Sequence, residues 1–172
     1  RMTEPLVCAS AVMTPQNVAY ETERLIAEAL FHRRPVYMAF PADYANQPVL
    51  GSSGAIPAPA SNEPALDAAT TAIAALLDKA RTACVLPGIL VARNGVQMEM
   101  QEIIDKAGLP FATMFMDKAV LDEQQPLFVG MYDGAIMSEE VRAFVESRDV
   151  VLTVGALASD FNTGAFTARL DL

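Results

Sequence analysis

The residues best placed for chemistry follow the apolar run 150–154, which reads as a buried strand. Asp160, Asn162, Thr163 and Gly164 come just past the end of this strand. Polar groups in such a loop can hold a ligand or a neighbouring domain, since ligands of open α/β sheets lie beyond the strand ends. The same residue types also bond to their own backbone as an Asx turn. The sequence leaves both interpretations open.

A second candidate position is Gly88, which follows the apolar run 83–86. A dinucleotide site needs Gly-x-Gly-x-x-Gly, because only glycines let the backbone approach a pyrophosphate. Here only Gly88 and Gly95 are present, and the bulky Ile89 and Leu90 stand where small residues are needed. We therefore retain Gly88 and Leu90 only as candidate crevice or interdomain residues.

Three further side chains have simple alternatives. Lys118 follows the predicted strand 110–115 and is either a crevice cation or a surface lysine. Asp133 precedes a glycine, which favours a turn over a metal–diphosphate motif. His32 is the only histidine and ends a predicted helix, so nothing supports a nucleophile–base pair. The sequence thus predicts no catalytic and no metal-binding residue.

Composition excludes several classes of partner. The net charge of −9 and the pI of about 4.5 argue against nucleic acid and anionic membranes, because no basic stripe is available. No apolar run approaches the ~20 residues of a spanning helix. Cys8 and Cys84 lie far apart in apolar surroundings, which favours buried thiols in a reducing compartment. We expect a cytoplasmic protein.

Alternating helix and strand patterns must position these candidates. The predicted order is helix 64–79, strand 83–86, a helix from about Asn94 to Gly108, strand 110–115, a short helix capped by Ser138, and strand 150–154. Such alternation predicts an α/β fold with a doubly wound, mainly parallel sheet and helices on both faces, a Rossmann-like domain.

The first part of the chain reads as a separate β-α-β unit. Runs 6–13 and 35–40 are apolar, and between them a helix over 15–32 is predicted, with Thr14 as its cap. One such unit cannot cover both faces of its own strands. Five of the eleven prolines fall within 41–64, which is typical of a linker. We therefore predict residues 1–43 as a fragment of a neighbouring domain, 44–62 as a linker and 63–172 as the doubly wound domain.

Several short motifs, in this order and spacing, are similar to those of the thiamine-diphosphate-dependent 2-oxo acid decarboxylases, the pyruvate and indolepyruvate decarboxylase group. They are Arg-Pro-Val-Tyr at 34–37 with Pro-Ala-Asp at 41–43, Asp-Glu-Gln-Gln-Pro at 122–126, Gly-Met-Tyr at 130–132, Val-Gly-Ala-Leu at 154–157 and Asn-Thr-Gly at 162–164. By this resemblance, residues 1–43 are the end of the pyrimidine-binding domain, and 63–172 are the central domain.

The resemblance implies an enzyme whose active site lies elsewhere. In the family, thiamine diphosphate and Mg²⁺ are bound by other domains, and the thiazolium acts as an electron sink while CO₂ leaves a 2-oxo acid. The implied substrate is indolepyruvate, phenylpyruvate or pyruvate, and the implied partners are the other domains and further copies in a homo-oligomer. The resemblance carries no catalytic residue over, so this chain alone is expected to be inactive.

Two departures from related enzymes narrow the expectation. Flavin-binding relatives have Asp-Arg-x-Thr-Gly in the late loop, where this chain has Phe161 and Asn162, so no flavin is expected. A cysteine linked to substrate activation in yeast-type enzymes corresponds to Leu90. The alternatives are an autonomous nucleotide-binding or regulatory module of the same fold, and the central domain of an acetohydroxyacid-synthase-like enzyme.

Overall fold

A computed structural model describes residues 3–54, 56–57 and 60–170. The chain divides into two compact units, Arg1–Asn62 and Glu63–Leu172. Each unit is described by itself. Three residues of the predicted linker 44–62, at positions 55, 58 and 59, lie outside the described residues.

The first unit is a β-α-β motif. Strands β1 (Ala9–Val12) and β2 (Val36–Ala39) pair in parallel, with Ala9 opposite Val36, and helix α1 (Val18–His32) connects them. Single-turn 3₁₀ helices occupy Glu4–Leu6 and Ala42–Tyr44. Both strands are shorter than their apolar runs, since pairing extends over four residues only.

The predicted start of α1 is wrong. Thr14 does not cap the helix, which begins at Val18 after Asn17. The Asn17 side chain accepts a hydrogen bond from the Thr14 N–H (2.8 Å) and donates to the Val12 carbonyl (3.1 Å). These two bonds tie the Asn17 side chain to the backbone of residues 12 and 14 and so hold the turn that precedes the helix.

Part of the segment predicted as a linker packs onto the first unit. The N–H groups of Leu50 and Gly51 donate to the Pro15 carbonyl at 2.8 and 3.3 Å. A Cβ on Gly51 would lie 2.0 Å from the Gln16 carbonyl oxygen, so only glycine allows this approach. The role of 44–62 as an interdomain linker stays a prediction.

The second unit is a doubly wound α/β domain. Its elements are α2 (Glu63–Lys79), β3 (Ala83–Pro87), α3 (Ile89–Asn94), α4 (Gln97–Ala107), β4 (Phe111–Met114), β5 (Phe128–Tyr132), α5 (Glu139–Glu146) and β6 (Val150–Val154). The strand order is β5-β4-β3-β6, and every pairing is parallel. Within the described part of the chain, no helix is long and apolar enough to cross a membrane.

Side chains of the strands alternate between two hydrophobic clusters. Val85 and Phe111 pack with Val91 and Ile104 of the helices on one face. Cys84 lies in the other cluster, which also holds Leu86, Ala112, Met114, Tyr132 and Val145. Because both faces of the sheet are covered by apolar side chains, the strands are continuously apolar in sequence. The prediction of helices on both faces of the sheet is confirmed.

The helix predicted from about Asn94 to Gly108 is present as α4, which begins three residues later than predicted and ends before Gly108 as predicted. The short helix α3 before it was not predicted. α3 starts directly after Gly88, and Gly95 ends it in the left-handed conformation (φ +71°). α4 then begins at Gln97. The Ile89 N–H at the start of α3 donates to a distant side chain, Asp117, at 2.7 Å. Local sequence carries no sign of this cap.

Strand β5 was not predicted. It pairs with β4 through an irregular register that shifts between Phe111 and Ala112, and it contains Gly130 at φ +125°. Gly130 is required there, since a Cβ would lie 2.7 Å from Val141 Cγ2. A glycine inside a short run weakens the strand pattern. The predicted cap of α5 is confirmed, because Ser138 Oγ accepts from the Val141 N–H at 3.3 Å.

Candidate functional site

Three loops meet beyond the carboxyl ends of β3, β4 and β6. Gly88 N–H donates to the Val154 carbonyl at 2.8 Å, and Leu90 N–H donates to the Gly155 carbonyl at 3.1 Å. The loop after β4 joins them through Asp117. This is the region where an open parallel sheet normally binds its ligand, and it contains most of the predicted candidates.

The space around Gly88 is filled by protein backbone. A Cβ at this position would lie 2.1 Å from Ala156 Cα and 2.3 Å from the Gly155 carbonyl oxygen. A phosphate group needs the same space in a dinucleotide site. Gly88 is therefore needed because the loop after β6 packs directly against it, and the space beside it is not available to a ligand.

Asp117 is the central side chain of this crevice, and the sequence did not single it out. It is fully buried at the end of the 3₁₀ helix Phe115–Asp117. Its Oδ1 accepts from the Ile89 N–H (2.7 Å), and its Oδ2 accepts from Asn162 Nδ2 (3.0 Å). Desolvation raises the pKa of Asp117, and these two hydrogen bonds oppose the rise. The one sequence signal was an acidic residue just past a strand end.

Asn162 is the predicted candidate that the structure places against Asp117. Its side chain is fully buried. Nδ2 donates to Asp117 and to the Leu157 carbonyl (3.0 Å), while Oδ1 accepts from the Met116 N–H (2.8 Å). Both amide N–H groups and the amide oxygen are thus engaged by protein atoms. Asn162 ties two loops together.

The other residues of the late loop bond mainly to nearby backbone. Asp160 Oδ1 accepts from the Phe161 N–H at 2.9 Å. Thr163 Oγ1 donates to the Ser159 carbonyl at 2.6 Å. Gly164 has φ +57°, and a Cβ there would lie 2.2 Å from the Asp133 carbonyl oxygen. This is the local turn chemistry that the sequence offered as the alternative to a ligand site.

Lys118 lies on the surface beside the crevice. Its Nζ is 2.9 Å from Glu123 Oε2, and 63% of its side chain is exposed. Glu123 also accepts from Thr113 Oγ1 (3.2 Å) and from the Ala119 N–H (2.8 Å). Desolvation raises the pKa of Glu123, but hydrogen bonds from Ala119, Lys118 and Thr113 lower it by a larger amount. The pKa of Glu123 is therefore below its usual value.

A second buried network holds the last described residues to the domain. Tyr132 is buried, and its hydroxyl donates to Glu146 Oε1 at 2.9 Å. Glu146 also accepts from Arg142 Nε (3.2 Å) and from the backbone N–H of Arg169 (3.0 Å). Burial, followed by the bond to Glu146, raises the pKa of Tyr132. The network fixes the path of the chain at Arg169.

The described residues do not fit a metal or a diphosphate group. No cluster of three His, Cys, Asp or Glu side chains among them could hold a metal ion. Asp133 is buried, with Oδ1 unpaired, and desolvation raises its pKa against a hydrogen bond from the Gly164 N–H. A Cβ on Gly134 would lie 2.6 Å from the Thr163 carbonyl oxygen, so this Asp-Gly pair is a packed turn.

Fold and site together define a doubly wound α/β domain whose crevice is closed by its own loops. The chain belongs to the thiamine pyrophosphate enzyme family, because residues 70–171 match the model of that family's central domain. A solved structure from Mycobacterium smegmatis, described as a candidate thiamin diphosphate-dependent enzyme, superposes with a TM-score of 0.70 at 22% identity, covering 94% of this chain and 31% of that one.

Curated relatives agree with this assignment. An alpha-keto-acid decarboxylase of Mycobacterium leprae is 33% identical over 177 residues, covering 99% of this chain and 30% of the relative. A pyruvate decarboxylase of Kluyveromyces marxianus is 35% identical over 172 residues, covering 97% of this chain and 30% of the relative. The chain therefore spans about 30% of the length of these relatives, and the predicted family is confirmed.

Proposed function

We propose that this chain is a scaffold region of a thiamine-diphosphate- and Mg²⁺-dependent 2-oxo acid decarboxylase. The parent enzyme would convert a 2-oxo acid and one proton into the aldehyde and CO₂, acting as a carboxy-lyase. Indolepyruvate, phenylpyruvate and pyruvate are the proposed substrates. Support comes from the alpha-keto-acid and pyruvate decarboxylases among the relatives.

The closed crevice is the observation that carries the scaffold role. At the sheet edge where a ligand is expected, Asp117 and Asn162 bond to each other and to the backbone of three loops. Backbone atoms fill the space beside Gly88. A buried polar group that is already fully paired gains nothing by binding a ligand. The crevice is thus built to hold its own loops in place.

The coenzyme chemistry belongs to other parts of the parent. When bound, thiamine diphosphate supplies the electron sink for decarboxylation. Since the described residues here do not fit the diphosphate or Mg²⁺, we derive no reaction step in this chain. Its contribution is a rigid domain that connects the cofactor-binding parts and takes part in subunit contacts. A cytoplasmic homo-oligomer is part of this proposal.

Product analysis of the full-length parent tests the proposal. With thiamine diphosphate, Mg²⁺ and pyruvate or indolepyruvate, we expect the corresponding aldehyde and CO₂. The 172-residue chain under the same conditions should give no product. Acetolactate from pyruvate would contradict the decarboxylase assignment and favour a carboligase. Turnover by the isolated chain would contradict the scaffold role.

A further inference from the structure

The loop after β6 contains three successive residues in the left-handed conformation. Gly164, Ala165 and Phe166 have φ values of +57°, +54° and +62°. Glycine adopts this conformation freely, but a residue with a Cβ is disfavoured in it by roughly 1–2 kcal/mol. Ala165 and Phe166 are therefore strained, and the contacts around them must hold them in place.

Residues 163–168, which we call the strap, cross over the turn that follows β5. The Ala135 N–H donates to Thr167 Oγ1 at 2.8 Å, and Thr167 Oγ1 donates to the Gly164 carbonyl at 2.6 Å. A Cβ on Gly134 would lie 2.5 Å from Thr167 Oγ1. The strap thus packs directly on this turn.

Asp133 lies under the strap with a carboxyl group that is only partly paired. The residue is 6% exposed, and its Oδ1 has no hydrogen-bond partner among the described residues. Desolvation raises the pKa of Asp133, and the hydrogen bond from the Gly164 N–H opposes this rise only in part. A buried acceptor that is left unpaired costs about 1–3 kcal/mol, and more when it is charged.

In the described part of the chain, the charged and titratable groups of the elements around Asp133 do not pair with its Oδ1. They are Asp117 in the loop after β4, Tyr132 in β5, Glu139, Glu140, Arg142 and Glu146 in α5, and Asp160 and Arg169 in the loop after β6. Tyr132 and Arg142 both bond to Glu146 instead. Asp133 therefore titrates against the burial that the strap imposes.

Opening of the strap returns the Asp133 carboxyl group to water, where its pKa is ordinary. The closed strap therefore binds the Asp133 proton more tightly than the open strap does. Closure is favoured in acid, and this contribution is lost as the pH rises through the raised pKa of the closed state.

We propose that residues 163–168 form a proton-sensitive strap, which stays closed while Asp133 is protonated and opens locally more often once Asp133 is ionised. Opening exposes the turn at the carboxyl end of β5 and relieves the left-handed strain at Ala165 and Phe166. The strap is a property of this domain and does not depend on the substrate of the parent enzyme.

Amide hydrogen exchange of the 172-residue chain, followed by ¹H–¹⁵N NMR between pH 4 and pH 7, tests this proposal. The N–H groups of Ala135 and Ala168 report on the strap, since they donate to Thr167 Oγ1 and to the Thr163 carbonyl. After correction for intrinsic rates, we expect their protection to fall about threefold or more as the pH rises over this range.

Two matched variants assign this fall to Asp133. Asp133→Asn cannot ionise, so the fall should be absent. Asp160→Asn removes an exposed carboxyl group of the same loop and should retain the fall. The Met116 N–H, which donates to Asn162, should keep its wild-type pH dependence in both variants. Protection of the strap amides that does not change with pH in the wild-type chain, or a fall that persists in Asp133→Asn, would overturn the proposal.

A second pair of variants tests the strap without altering Asp133. Ala165→Gly relieves one strained left-handed residue and should raise the protection of Ala135 and Ala168 about threefold or more at pH 7. Ala158→Gly, at an exposed position of the same loop that has no positive φ, should not raise it. Dispersed spectra show that each variant is folded. Equal protection in these two variants would show that the strain does not favour opening, and the proposed strap would be wrong.

Discussion

Replacing Asn162 with aspartate would place two buried carboxyl groups side by side. Asn162 Nδ2 is 3.0 Å from Asp117 Oδ2 and also 3.0 Å from the Leu157 carbonyl oxygen. In the Asn162→Asp variant the Nδ2 group, which donates both of these bonds, is replaced by a carboxylate oxygen, which can only accept. Each buried acceptor left unpaired costs about 1–3 kcal/mol, so the lost bonds alone destabilise the domain by about 2–6 kcal/mol.

The charge adds a dependence on pH. Two carboxylates at this distance cannot both ionise in a buried site, so the pair retains a proton and its pKa is raised. A raised pKa in the folded state means that the folded variant binds more protons than the unfolded chain. Its stability therefore falls as the pH rises, and acidification from pH 7 towards the ordinary carboxyl range restores part of the loss.

Hydrogen exchange measures this effect at the loops concerned. The N–H groups of Met116 and Ile89 donate to Asn162 and Asp117, so their protection reports the opening of this network. Both should exchange faster in Asn162→Asp at pH 7, after correction for intrinsic rates, and the difference should narrow at pH 5.

An exposed asparagine provides the control. Asn94 Nδ2 donates to the Leu90 carbonyl at 2.8 Å on the surface. Asn94→Asp should cost at most about 1 kcal/mol, mainly through the dipole of α3. If Asn162→Asp protected both amides as well as the wild-type chain at pH 7, the crevice would not depend on this pair.

Other substitutions test the packed glycine and the second network. Gly88→Ala puts a Cβ 2.1 Å from Ala156 Cα and should lower the free energy of unfolding, measured by urea denaturation, by about 3 kcal/mol or more. In the control Gly95→Ala the new Cβ meets no atom within 4 Å, and the loss should be only ~1 kcal/mol because of the positive φ. Tyr132→Phe removes a 2.9 Å bond to Glu146 and should cost about 1–1.5 kcal/mol by thermal denaturation. Desolvation raises the pKa of Glu146, but its hydrogen bonds lower it by more, so the folded-state pKa lies below the unfolded one. The ionised Glu146 therefore stabilises the fold above its unfolded pKa, and this stabilisation is lost as the pH falls through the folded pKa. The Glu146→Gln variant should show a weaker loss of stability in acid.

These predictions have their own controls. Tyr20→Phe removes a hydroxyl from a partly exposed residue and should leave stability within about 0.5 kcal/mol. Equal losses in Gly88→Ala and Gly95→Ala would show that the β6 loop does not pack as described. An acid dependence unchanged in Glu146→Gln would assign that dependence to other carboxyl groups.

Short-range patterns predicted the elements that carry their own signals. Apolar runs identified β3, β4 and β6, since strands covered on both faces need continuous apolar residues. Ser138 marked α5 because its cap bond is local. The β5 strand was not predicted, because two tertiary contacts define it. It pairs in parallel with β4, and its Gly130 is required by the close approach of Val141.

The candidate site divides in the same way. Asn162 could be named from the sequence because amides past a strand end are common in crevices, but its partner Asp117 could not, since 45 residues separate them. Asp160, Thr163 and Gly164 form the local turn that the sequence offered as an alternative. A functional role for Gly88, Leu90 and Lys118 stays a prediction.

By itself, the sequence determined the family, the α/β class and most of the helices and strands, because periodicity and short motifs act over a few residues. Only the tertiary structure decided whether the crevice is open or closed. That depends on which backbone and side-chain groups meet across the carboxyl ends of β3, β4 and β6, and such pairing arises only when distant loops are brought together by the sheet.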